Sequence, residues 1–167
     1  MRWAKVFALV AAMGLAGSAR AGQPGVKGSF GFGLGLGGPT SLNVEYVVAP
    51  KYAVDAGLDL GTFHGGWGFH ADLLYHVATL LTEEKFSLPF YIGGGLEAVS
   101  WHSNGYWNGP NWSGWGSSGD FGLRVPVGLA LWLHGKPLEF YVEAGPVLWF
   151  KASGLDLTAV LGFRYYL

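Results

Sequence analysis

Residues 30–36 read Phe-Gly-Phe-Gly-Leu-Gly-Leu, and the same alternation of bulky apolar with small or polar residues recurs in stretches of about ten residues as far as Leu167. A period of two belongs to a β-strand, whose successive side chains point to opposite faces. A helix would scatter these apolar residues around its axis, so the pattern confines the chain to strands that are each apolar on one side only.

The alternation runs through 30–36, 41–48, 54–60, 67–76, 90–98, 121–133, 138–150 and 157–167, which gives eight strands. Gly37-Gly38-Pro39 and Ala49-Pro50-Lys51 are the sharpest turn signals between them. The spacing predicts turns over 49–52, 77–87 and 134–137, and one long loop over 99–119. Pro126 and Pro146 fall inside predicted strands, where the missing N–H predicts a bulge or a local register break.

Residues 1–21 carry an export signal. Arg2 and Lys5 supply the positive start, Val6 to Gly17 the short apolar centre, and Ala19-Arg20-Ala21 the small-x-small cleavage site, so the mature chain is expected to begin at Gly22 as one domain, 22–167. That apolar centre is shorter than the ~20 residues of a spanning helix, and no later stretch of that length lacks Gly, Pro or charge. Any membrane span must be built of strands. The chain has no cysteine, so disulfides do not staple it. Removing Arg2, Lys5 and Arg20 from the 10 basic residues leaves 7 against 11 acidic ones, a net −4 that argues against a nucleic-acid partner.

A soluble barrel and a membrane barrel both alternate, and volume separates them. Eight strands enclose a space that side chains just fill. The large apolar residues of the strands are too many for that space, whereas the opposite face, rich in Gly and Ala with scattered acids, Arg and His, suits a narrow polar lumen. A soluble exterior would carry dense Lys and Glu. The expected fold is therefore all-β, a closed eight-stranded antiparallel transmembrane β-barrel wound as an up-and-down meander. An even strand number puts both chain ends on one side, with the short turns periplasmic and loop 99–119 outside the cell. Facing makes a test: Leu129→Arg on the lipid side should be costly, and Gly128→Ala on the lumen side cheaper.

Four stretches carry a resemblance. They are Gly38-Pro39-Thr40 after the Gly-rich first strand, Phe69-His70-Ala71-Asp72-Leu73-Leu74-Tyr75-His76, Gly122-Leu123-Arg124-Val125-Pro126-Val127-Gly128, and Gly162-Phe163-Arg164-Tyr165-Tyr166-Leu167. With these the chain resembles the small OmpA/OmpX-like outer-membrane barrels, over essentially all of 22–167. The resemblance implies an outer-membrane location in a Gram-negative-type envelope, with outer-membrane lipid and lipopolysaccharide as surroundings. It also implies that Gly162, Phe163, Tyr165 and Leu167 form the signal read by the barrel-assembly machinery during insertion, here ending on Leu where the pattern has Phe or Trp.

Lumen-facing charged positions are Lys27, Glu45, Asp55, Asp59, His70, Asp72, His76, Glu97, Arg124, Glu139, Glu143 and Arg164. Buried charges must pair, so they are expected to form an internal ion-pair network. Hairpin order predicts that Glu97 meets Arg124 near the outer end and that Lys27 and Arg164 lie low among Glu45, Asp55, Asp72 and Glu139. Acids outnumber bases, which leaves a narrow cation-preferring path as the alternative. His70 and His76, six residues apart, are separated by about 20 Å on a strand and cannot share a metal; no metal or other cofactor is expected.

His102-Ser103-Asn104 invites comparison with the lipid A deacylase barrels, but adjacent His and Ser on a strand point to opposite faces, so a lipid-modifying hydrolase ranks last and no catalytic residue is assigned. Loop 99–119 holds Trp101, Tyr106, Trp107, Trp112 and Trp115 among Asn, Ser and Gly, a composition that suits contact with a surface glycan or lipopolysaccharide headgroup as well as an ordinary interfacial aromatic belt. The expected role is structural, in envelope integrity or surface contact, and not enzymatic.

Overall fold

The computed structural model describes residues 22–61, 66–103, 107–108, 111–112, 116–151 and 154–167, with the side chains of 61 and 101–118 outside the description. The signal segment, and the side chains of all five aromatic candidates of the long loop, therefore lie outside the described residues.

Among the described residues there are eleven strand segments: β1 (Phe30–Gly38), β2 (Thr40–Ala49), β3 (Tyr52–Gly61), β4 (Trp67–Thr82), β5 (Phe86–Ser103), β6 (Trp107–Asn108), β7 (Asn111–Trp112), β8 (Gly116–Arg124), β9 (Val127–Leu133), β10 (Leu138–Trp149) and β11 (Leu155–Tyr166). β6 and β7 pair only with each other, as a two-rung ladder inside the long loop. β8 and β9 are two halves of one wall strand, both held between β5 and β10. The remaining segments pair with their neighbours in chain order, and β11 closes on β1. All pairings are antiparallel. The result is the expected closed eight-stranded barrel, which leaves no free sheet edge over most of its height.

Three local expectations need correction. The turn predicted over 77–87 shrinks to Glu83–Lys85, because β4 and β5 pair as far as Thr82↔Ser87 through two register shifts. Loop 99–119 is strand at both ends, with β5 and β8 paired out to Ser103↔Gly116. Neither proline shifts the register. At Pro126 the ladder is interrupted between Arg124 and Val127, yet Gly95↔Arg124 and Ile92↔Val127 lie on one unbroken register, and Gly93 N–H donates to the Pro126 carbonyl (2.7 Å). Pro146 sits in a continuous β10–β11 ladder opposite Leu157. A proline whose carbonyl still bonds costs the ladder a single donor.

Outside, the apolar residues are exposed around the whole wall, among them Phe32, Leu58, Leu73, Leu96, Phe121, Leu148, Leu161 and Phe163. Rings mark the two ends of this band: Tyr52 with Tyr75 (centroids 5.0 Å) and Phe32 with Tyr165 (5.8 Å) toward the chain termini, and Phe121 with Phe150 (5.0 Å) toward the long loop. From Tyr75 to Trp67 along β4 is about 27 Å at ~3.4 Å per residue. A strand tilt of about 40° reduces this to about 20 Å of height, close to the apolar band of outer-membrane barrels.

Candidate functional site: the barrel interior

Large inward side chains lie over glycines on the neighbouring strand. Tyr141 pairs across the ladder with Gly162, Tyr91 with Gly128, Tyr166 with Gly31 and His70 with Gly57. In each case a Cβ on the glycine would fall 2.3–2.9 Å from the ring opposite. The glycine-rich face is thus room for rings that fill a narrow barrel. The cost of Gly128→Ala is therefore set by packing, because the added methyl would meet Tyr91 Cζ at 2.3 Å, and Tyr91 is held by its hydroxyl donating to Glu143 Oε2 (2.9 Å).

Between these rings the charges gather around two arginines. Arg164, fully buried on β11, places Nη1 2.6 Å from Glu139 and 3.2 Å from Glu45, and Nη2 2.7 Å from Asp55. Its Nε donates to Asn43 Oδ1 (3.2 Å) and its guanidinium lies 4.1 Å from the Tyr141 ring centroid. The Tyr166 hydroxyl reaches both Glu45 (2.8 Å) and Glu139 (2.9 Å), and Trp132 Nε1 donates to Glu139 Oε2 (2.8 Å). One guanidinium therefore holds carboxylates from β2, β3 and β10, with fork geometry and ring stacking that a lysine would not supply.

The second centre is Arg124 on β8. It bonds Glu143 and places Nε 3.3 Å from Asp72 and Nη1 3.6 Å from Glu97. Toward the long-loop end, His70 Nδ1 lies 3.0 Å from Asp59 Oδ1. His76 stands apart, its ring between Tyr91 (5.7 Å) and Trp132 (5.1 Å). The two centres meet at Asp55 and Asp72, which are direct cross-strand partners on β3 and β4. Each keeps one carboxylate oxygen, Oδ1, that is buried without a hydrogen-bond partner.

Among the described residues, eleven of the twelve expected lumen positions are buried. Lys27 is the exception. It precedes β1, in a segment that folds back under the barrel end and is solvent-exposed there. The strand alternation does not extend to it, so its facing was not fixed by period two. In the same segment Gly25 lies against the Trp132 ring, Gly22 lies beside the Leu167 carbonyl, and Gly28 N–H donates to the Val47 carbonyl (2.8 Å), so the interior is covered from that side. Asp72 also moves, from the low cluster to Arg124, whereas Glu97 does meet Arg124 as expected. Toward the far end Val99, Val147 and Trp149, on β5 and β10 to either side of β8, form a small apolar cluster on the inner wall.

No protein-family model and no curated protein matches the chain. Among solved structures, the N-terminal β-barrel domain of OprF from Pseudomonas aeruginosa matches with a TM-score of 0.63 and 13% identity, over 84% of this chain and 98% of that one. The chain shares the fold of that barrel domain. Ail, the attachment invasion locus protein of Yersinia pestis, matches at a TM-score of 0.35 and 13% identity, over 85% of this chain and 100% of that one.

The interior partners that sequence reasoning missed are Asn43, Tyr91, Tyr141, Tyr166 and Trp132. Their positions on the inward face were legible from period two, and the cross-strand glycines were the signal that rings fill the lumen. His102 and Ser103 are consecutive in β5, opposite Ser117 and Gly116, while Asn104 lies outside the described residues. At the chain's end Phe163, Tyr165 and Leu167 face outward and Gly162 lies inward beneath Tyr141.

Proposed function

We propose that the protein is an integral outer-membrane barrel whose role is structural, in envelope integrity or surface contact, with its lumen closed by its own side chains. The observation that carries this reading is the inversion of the wall: leucines and phenylalanines exposed outside, arginines and carboxylates buried inside. In water this inversion would expose far more apolar area than a soluble monomer tolerates; in lipid it is the stable arrangement, since the barrel satisfies its backbone internally. Outer-membrane lipid and lipopolysaccharide surround the band, the barrel-assembly machinery inserts it through Gly162, Phe163, Tyr165 and Leu167, and the aromatic loop over 99–119 contacts glycan or lipopolysaccharide headgroups. The export signal over 1–21 directs it there, and no catalytic residue or cofactor takes part.

A narrow cation path is the second reading, favoured by one observation: seven carboxylates of the lumen set face two arginines. Planar-bilayer conductance of the refolded protein tests both. A silent wild-type protein supports the closed barrel. Steady cation-selective steps that change with Arg124→Ala overturn it and make the lumen the functional site.

A further inference from the structure

The ladder that closes the barrel ends before β11 does. β1 turns into β2 through the single residue Pro39, and the β1–β11 ladder stops at Gly38↔Ala159. β11 extends four residues farther, Leu155 to Thr158, paired on its other side with β10 from Leu148 to Gly145. Those four residues are about 13 Å of strand with no ladder partner on the β1 side among the described residues.

The direction of their backbone groups follows from the rungs nearby. Trp149 N–H donates to the Gly154 carbonyl and Tyr166 N–H to the Pro137 carbonyl, so even-numbered residues of this strand bond on the β10 side. Leu167 N–H donates to the Phe30 carbonyl, so odd-numbered residues bond on the β1 side. Leu155 and Leu157 therefore aim N–H and C=O into the gap above Pro39. The Leu157 N–H is met there by Asp156 Oδ1 (2.8 Å).

The gap lies at the outer rim of the apolar band. Leu155 (71% exposed), Leu157 (68%) and, beside the turn, Leu36 (63%) flank it, and Leu155 is the rung partner of Leu148, two positions short of Phe150 in the Phe121–Phe150 ring pair. Backbone carbonyls at this boundary take donors from the lipid headgroup region, because hydrocarbon supplies none. A second copy of the barrel does not fit. Neighbours in one membrane are related by an axis along its normal, so strands tilted by 35–45° would cross at roughly 70–90° instead of pairing, and antiparallel pairing would turn one barrel upside down.

We propose that this open edge of β11 is a lateral lipid site, which holds an outer-leaflet lipid of the lipid A type, one that carries amide N–H and hydroxyl donors near its acyl chains. The donors meet the carbonyls of Leu155 and Leu157, and the chains lie along the leucines. The site rests on the membrane reading above.

The test places a photo-crosslinking benzoylphenylalanine in place of Leu157 in one variant and of Leu96 in another, each full chain inserted in vesicles that contain both lipid A and dioleoylphosphatidylcholine. A several-fold higher ratio of lipid A to phosphatidylcholine adducts at Leu157 than at Leu96 is the expected result. Equal ratios at the two positions, or a protein–protein adduct at Leu157, overturn the lipid site. Absence of lipid adducts at Leu96 as well as at Leu157 instead overturns the membrane reading.

Discussion

At the scale of single residues, the interior is a set of matched pairs in which a ring or charged head occupies the space a glycine leaves. Gly128→Ala is therefore expected to destabilise the barrel by about 1–3 kcal/mol, as overpacking does. In a double-mutant cycle Tyr91→Leu should recover part of the loss, since the shorter side chain withdraws from the added methyl. Urea unfolding of the vesicle-inserted protein reads both, and additive costs would show that Gly128 and Tyr91 do not share the space. Arg164→Met should cost about 3–5 kcal/mol, because it strands three buried carboxylates together. These pairings were only half legible in the sequence. Alternation assigned Tyr141 and Gly162 to the inward face, but which glycine lies under which ring depends on register, and period two alone does not fix the register between strands.

At the scale of elements, the strands were readable because each stretch alternates strongly enough to fix its own facing. Their ends were not. Val77, Leu80 and Leu81 break the alternation, so 77–87 reads as a turn, whereas β4 continues there because β5 offers it a ladder and β9 holds β5 from behind. Irregular pairing with two register shifts satisfies the backbone without requiring a clean two-sided pattern. Pro126 shows the reverse: composition predicts a break, but the wall strand passes through because Gly93 bonds its carbonyl. Pro126→Ala supplies a donor opposite Gly93 and should leave every neighbouring rung in register. Amide exchange checks this, since protection at Val127, Leu129 and Leu131 should be unchanged, and a shift of pairing by one residue would refute the uninterrupted register.

At the scale of the whole molecule, the apolar band and its ring-marked edges set where substitutions are tolerated. Leu96, paired with Ala71 midway between Trp67 and Tyr75, is the better mid-band probe than Leu129, which lies only partly exposed nearer the chain termini. Leu96→Arg should cost about 2–4 kcal/mol of stability in a bilayer, and Leu81→Arg, beyond the Tyr52–Tyr75 pair, about 0–1 kcal/mol. Refolding into vesicles followed by denaturant titration measures the difference; equal costs would mean that the band is not where the lipid is.

Arg164 draws its carboxylates from β2, β3 and β10 while belonging to β11, the last strand of the chain, and the side chain of Asp55 is more than a hundred positions away from it in sequence. No hairpin formed early can contain this cluster. Until the final strand docks, Glu45, Asp55 and Glu139 are acids without a cation in an unsealed cylinder that water still enters, so partly assembled forms gain little from their interior. Ring closure and charge neutralisation thus become one event, and the barrel should form and come apart in an all-or-none step, its half-built forms too poor in free energy to accumulate.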